Sequence, residues 1–96
     1  MVLTPAARDL IWVEWDDAYS VYQPSSTETH VFNETTALIV EALQAGPLEL
    51  EGVAESVAQA LGLAKDELAY PELESAAARL EELGLVEWPE RALAAA

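Results

Sequence analysis

The chain has no cysteine, which excludes disulfides, thiolate metal ligands and thiol nucleophiles and fits an intracellular rather than a secreted setting. Basic residues are scarce as well. Four Lys and Arg stand against eighteen Asp and Glu, for a formal net charge of −14. Such a field repels nucleic-acid phosphates and anionic lipid surfaces, favours basic partners and aids solubility. A single histidine and only four glycines leave little material for acid–base catalysis near neutral pH or for a phosphate-cradling loop. No apolar run approaches the roughly 20 residues that a membrane-spanning helix needs. Met1 to Asp9 lacks the basic start, apolar stretch and small-residue cleavage site of a secretory signal, so the expected location is the cytoplasm.

What is present is a 96-residue chain that is 52% hydrophobic, too apolar for intrinsic disorder and of the size of one domain. A chain of this length buries roughly 60–65% of the surface its unfolded form exposes, enough for one modest core and too little for a deep enclosed cleft. The expectation is a single domain over 1–96, with a core over about 9–88 and a tail over 89–96.

Composition changes near Asn33. Trp12, Trp15, Tyr19, Tyr22 and Phe32 lie before it among β-branched residues, whereas Ala, Leu and Glu dominate after it, a change from strand-forming to helix-forming chemistry. Over Leu10 to Trp15, Ile11, Val13 and Trp15 alternate with Leu10, Trp12 and Glu14, the period of a strand that is apolar on both faces. Asp16 and Asp17 supply a turn, and Ala18 to Gln23 reads as the second strand of a hairpin. After Pro24, Ser25 and Ser26, Thr29 to Asn33 reads as a third strand with His30 and Phe32 on one face.

Asn33 suits a helix N-cap, and Leu38, Ile39, Ala42 and Leu43 recur at helical spacing up to the stop at Gly46-Pro47. A second helix is expected over Leu50 to Leu61, ending at Gly62, and a third from Tyr70 to the stop at Gly84. Leu85 to Trp88 is a candidate wing strand, and Ala92 to Ala96 a weakly ordered tail. This order gives an α+β chain: three antiparallel strands, then three helices with glycine-marked corners, in the pattern of a winged helix-turn-helix.

Catalytic, cofactor and metal sites are not expected. The carboxylates alternate along helices as solvated faces do, and one histidine without cysteine makes a poor metal donor set. His30 shares a face with Phe32 and reads as a satisfied, partly buried side chain. Ser25 and Ser26 lie in a turn with no motif to orient a base. Adjacent acids such as Glu81 and Glu82 diverge by about 100° on a helix, and Asp16 with Asp17 is explained as a turn. DNA binding is disfavoured because the third helix would present Glu72, Glu74, Glu81 and Glu82 with Arg79 as its sole cation.

The segment Thr29-His30-Val31-Phe32-Asn33, followed by Glu34 to Ala37 and an apolar helix, resembles the PqqD-like family of peptide chaperones. The closing segment Leu83 to Glu87 is similar as well, and the Trp12 and Trp15 strand resembles the branch found in HPr-kinase-related gene systems (HPr-rel-A). The resemblance covers most of the chain and rests on pattern and order. It implies a module that recognises the leader segment of a precursor peptide by strand addition and presents it to a modifying enzyme or kinase-like protein from the same gene cluster. The site it implies comprises Thr29, His30, Val31, Phe32 and Asn33 on the third strand, with Ser75, Ala78, Arg79 and Glu82 on the third helix shaping specificity. An edge strand offers unpaired main-chain groups, so such pairing is physically reasonable. The alternative is a self-associating structural or interaction subunit without peptide binding, such as a homodimer, suggested by the surplus of Trp12, Trp15, Tyr19 and Tyr22.

Overall fold

A computed structural model describes residues 1–89. In chain order the elements are β1 (Val2–Leu3), a single-turn helix α1 (Pro5–Arg8), β2 (Ile11–Glu14), β3 (Ala18–Gln23), β4 (Glu28–Asn33), α2 (Glu34–Leu43), α3 (Leu50–Leu61), a 3-10 turn at Lys65–Glu67, α4 (Tyr70–Glu82) and β5 (Val86–Glu87). The class is α+β, with a three-stranded antiparallel sheet in the order β2-β3-β4 and a small second sheet of β1 and β5.

The acidic turn sets the register of the larger sheet. Trp15 N donates to Ala18 O at 2.8 Å across Asp16-Asp17, and from that closure Trp12 falls opposite Val21 and Glu14 opposite Tyr19. The next turn places Val21 opposite His30 and Tyr19 opposite Phe32. The inner face therefore carries Trp12, Tyr19, Val21, His30 and Phe32. Val21 and Phe32 join Ile39, Val40 and Leu43 of α2, Val53 and Val57 of α3, and Leu73, Ala77 and Leu80 of α4 in one buried cluster.

Helix ends follow local chemistry. Asn33 Oδ1 accepts from Thr36 N at 2.9 Å and from Thr36 Oγ1 at 2.8 Å, satisfying an amide that the first turn of α2 leaves orphaned. At the end of α4, Leu85 N donates to Leu80 O (3.0 Å) and Gly84 N to Glu81 O (3.0 Å), the paired bonds of a Schellman motif, with Leu80 and Leu85 both fully buried. Gly84 turns this corner at φ 76°. A Cβ there would meet no atom within 4 Å, so the cost of a side chain is backbone strain alone. Gly84→Ala is expected to lower stability by about 1–2 kcal/mol, read as a lower urea midpoint. On the surface, the Glu51 carboxylate is ion-paired with Lys65 and accepts from Tyr70 Oη at 3.1 Å, tying α3 to the 3-10 turn and α4. The Lys65 contact first, and the tyrosine bond second, hold the Glu51 carboxyl below its ordinary range.

The core begins at Met1, not near Asp9. Met1, Leu3 and Ala7 are buried in the main cluster, and β1 and α1 have no counterpart in the periodicity of the sequence. A two-residue strand and a one-turn helix are too short to show a period, and the local cues are confined to Thr4 at the N-cap and Pro5 at the first helical position. The candidate strand at Leu85 to Trp88 forms over Val86–Glu87, and its partner is β1 at the other end of the described chain. Thr4 secures that junction by donating to Leu85 O (3.0 Å) and, through Oγ1, to Gly84 O (2.6 Å). The tail reading at Ala92 to Ala96 lies outside the described residues.

Candidate functional site: the free edge of β4

Among the described residues, β4 pairs only with β3, so one side of it carries no strand. Which main-chain groups face that side follows from the hairpin. Residues 15 and 18 form a hydrogen-bonded pair, and such pairs alternate along an antiparallel ladder. Ser20 and Tyr22 therefore direct their amides and carbonyls to β2, while Tyr19, Val21 and Gln23 direct theirs to Phe32, His30 and Glu28 of β4. By the same alternation Thr29 and Val31 turn their N–H and C=O groups toward the unpaired side.

The side chains separate in the same rhythm. Thr29, Val31 and Asn33 are exposed, Val31 at 71%, whereas His30 and Phe32 are buried at 7% and 2%. His30 is engaged through Nε2. Its Nε2 lies 2.8 Å from Gln23 Oε1, and because Gln23 Nε2 donates to Ser25 Oγ at 3.1 Å, the glutamine oxygen accepts and His30 donates. The imidazole also stacks on the Phe32 ring at 5.8 Å with an interplanar angle of 1°. Of the implied site, His30 thus commits its Nε2 to Gln23 and directs its amide to β3.

Beside the edge lies an open groove of about 470 Å³ lined by Asp17, Ala18, Val31, Phe32, Asn33, Thr36 and Arg79. The fold brings Val31, Phe32 and Asn33 together with Arg79 of α4, and places Thr29 further along the same edge. Ser75, Ala78 and Glu82 lie on α4 near Arg79 in sequence but do not line the groove. Asp17, Ala18 and Thr36 line it without having been expected. The pairing of Ala18 with Asn33 carries the acidic turn to this end of β4, and Thr36 arrives as the partner of the Asn33 cap. The Arg79 guanidinium has no ion pair or hydrogen bond among the described residues.

The outer face of the sheet is apolar and open: Ile11, Val13, Trp15, Tyr22 and Val31 are all exposed, Trp15 at 64%. No helix among the described residues is long and apolar enough to cross a membrane. The arrangement defines an α+β domain in which the β4 edge of the sheet is uncovered among the described residues and flanked by a groove. Comparison with family models, with curated proteins and with solved structures gives no match.

Proposed function

We propose that this protein is a non-catalytic peptide-binding adaptor of PqqD-like type, which takes the leader segment of a precursor peptide as an added strand on β4 and presents it to a modifying enzyme or kinase-like partner. The observation that carries this reading is the direction of the Thr29 and Val31 main-chain groups toward a side of the sheet without a strand. Main-chain bonds supply affinity in strand addition, and pockets for alternate side chains supply specificity. Here the groove walled by Asp17, Val31, Phe32 and Arg79 receives such side chains, and the unpaired guanidinium gives an acidic residue of the guest a local partner that offsets the repulsion of the chain's negative field. The likeness of Thr29 to Asn33 and the following helix to the PqqD-like pattern supports the same reading.

Selection from a displayed library of short peptides tests it. The expected products bind the wild-type chain at micromolar concentrations, alternate β-branched and polar residues, carry a carboxylate and fail to bind Val31→Pro. Peptides selected with equal success by the Val31→Pro chain contradict the reading.

The exposed outer face of Ile11, Val13, Trp15, Tyr22 and Val31 supports a second reading, self-association of the chain through that face. Contiguous apolar surface on a small protein is a common mark of a protein interface. Sedimentation over a range of concentrations separates the two, since a monomer throughout eliminates self-association.

A further inference from the structure

On the other side of the sheet's inner face lies a second recess, which shares no lining residue with the β4 groove. Trp12 and Glu14 of β2 and Tyr19 of β3 form one side, and Ala37, Leu38 and Glu41 of α2 with its C-cap Gln44 form the other. The sequence explains the assembly. Trp12 and Glu14 are alternate residues of one strand and so share its inner face, and Glu14 stands directly opposite Tyr19. On α2, Ala37, Glu41 and Gln44 follow one another at helical spacing, so they stack along a single stripe.

The chemistry of this recess is selective. The Trp12 and Tyr19 rings meet edge to face, 6.0 Å apart at 81°, and both line the recess. The carboxylates of Glu14 and Glu41 are exposed, and neither has a hydrogen bond or ion pair among the described residues. No cation is among the lining residues. An anion would meet two like charges here, and a neutral apolar guest would use the rings but leave the carboxylates idle. No group of three or more His, Cys, Asp or Glu side chains that could hold a metal ion is gathered among the described residues. The Tyr19 hydroxyl is held above its ordinary range, by burial first and then by the negative field of Glu14, Glu34 and Glu41, so negative potential does converge on this recess. The volume, about 390 Å³, lies in the range of small-ligand sites.

We propose that this recess binds an organic ammonium group on an alkyl stem, with the ring faces of Trp12 and Tyr19 and the carboxylates of Glu14 and Glu41 as its recognition elements. Aromatic faces attract ammonium through the ring quadrupole, and best when water is partly excluded. The carboxylates supply the charge, and Ala37 and Leu38 meet the hydrocarbon stem. The same chemistry is carried by a free quaternary amine and by a methylated lysine of a protein partner, so both are used as probes.

The test is a titration of the isotope-labelled full chain followed by NMR at the Trp12 indole N–H and at the Tyr19 and Glu41 amides. One probe is choline, a second is a short peptide with a central trimethyl-lysine, and the control is the alcohol in which a tert-butyl group replaces the trimethylammonium head of choline. Saturable shifts at all three positions are expected with the cations, with affinity roughly tenfold above that of the uncharged alcohol. Glu41→Gln, an exposed helix position, should weaken the cations and leave the alcohol unchanged. Tighter binding of the peptide assigns the ammonium to a protein side chain, tighter binding of choline to a free amine, and either upholds the site. Equal response to choline and the alcohol, shifts confined to Trp15 on the outer face, or no saturable shift with either cation overturns it.

Discussion

Replacing Phe32 with alanine is expected to destabilise the fold by about 3–5 kcal/mol, the usual cost of removing a buried aromatic side chain and leaving a cavity. Phe32 is 2% exposed and holds other rings in place: Trp12 packs against it at 6.0 Å and His30 stacks on it at 5.8 Å. Small domains have net stabilities of roughly 5–15 kcal/mol, so this loss would consume much of the margin. The urea midpoint should fall steeply with little change in slope. Its neighbour is the control. Val31 is 71% exposed, and Val31→Ala should stay within about 0.5 kcal/mol of the parent. A Phe32→Ala chain that unfolds within about 1 kcal/mol of the parent would contradict the packing described.

The largest functional effect is expected from Val31→Pro. Proline removes one amide hydrogen and sets a ring where a partner strand would approach. In a central strand that change breaks the sheet, but here the Val31 amide faces away from β3, so the intramolecular ladder keeps its bonds. His30, extended within β4, suits the residue before a proline. The fold should therefore survive, with the melting temperature close to that of the parent. Affinity for a strand-adding peptide should drop at least about tenfold, from a lost main-chain bond and the steric block together. Calorimetry with one selected peptide measures this. Equal binding by the parent and Val31→Pro would place the peptide elsewhere on the molecule.

Local chemistry made much of the fold legible. The period of two from Ile11 to Trp15, the Asp16-Asp17 turn, the Asn33 cap and the stops at Gly62 and Gly84 each act within a few residues, and each has its counterpart in the structure. β1 and α1 were hidden because they exist by tertiary contact, with β5 as the partner of β1. The edge itself was half legible. Alternation along β4 sorts Thr29, Val31 and Asn33 from His30 and Phe32, but the outward direction of two amides depends on where the hairpin closes. On α4, Arg79 lines the groove while Ser75, Ala78 and Glu82 do not, a distinction that helical spacing alone does not make. The aromatic surplus read from the sequence divides in two: Trp15 and Tyr22 open on the outer face, whereas Trp12 and Tyr19 turn inward to meet Glu41. That meeting joins residues from three elements, and no local pattern encodes it.

Hydrogen exchange at the individual amides of β4, in the free protein and without any ligand, addresses the docking edge most directly. Slow exchange at His30 and Phe32 with fast exchange at Thr29 and Val31 is the expected pattern, because only the first pair is bonded to β3. Equal protection at all four positions would mean that the far side of β4 already has a main-chain partner, and strand addition there would be ruled out.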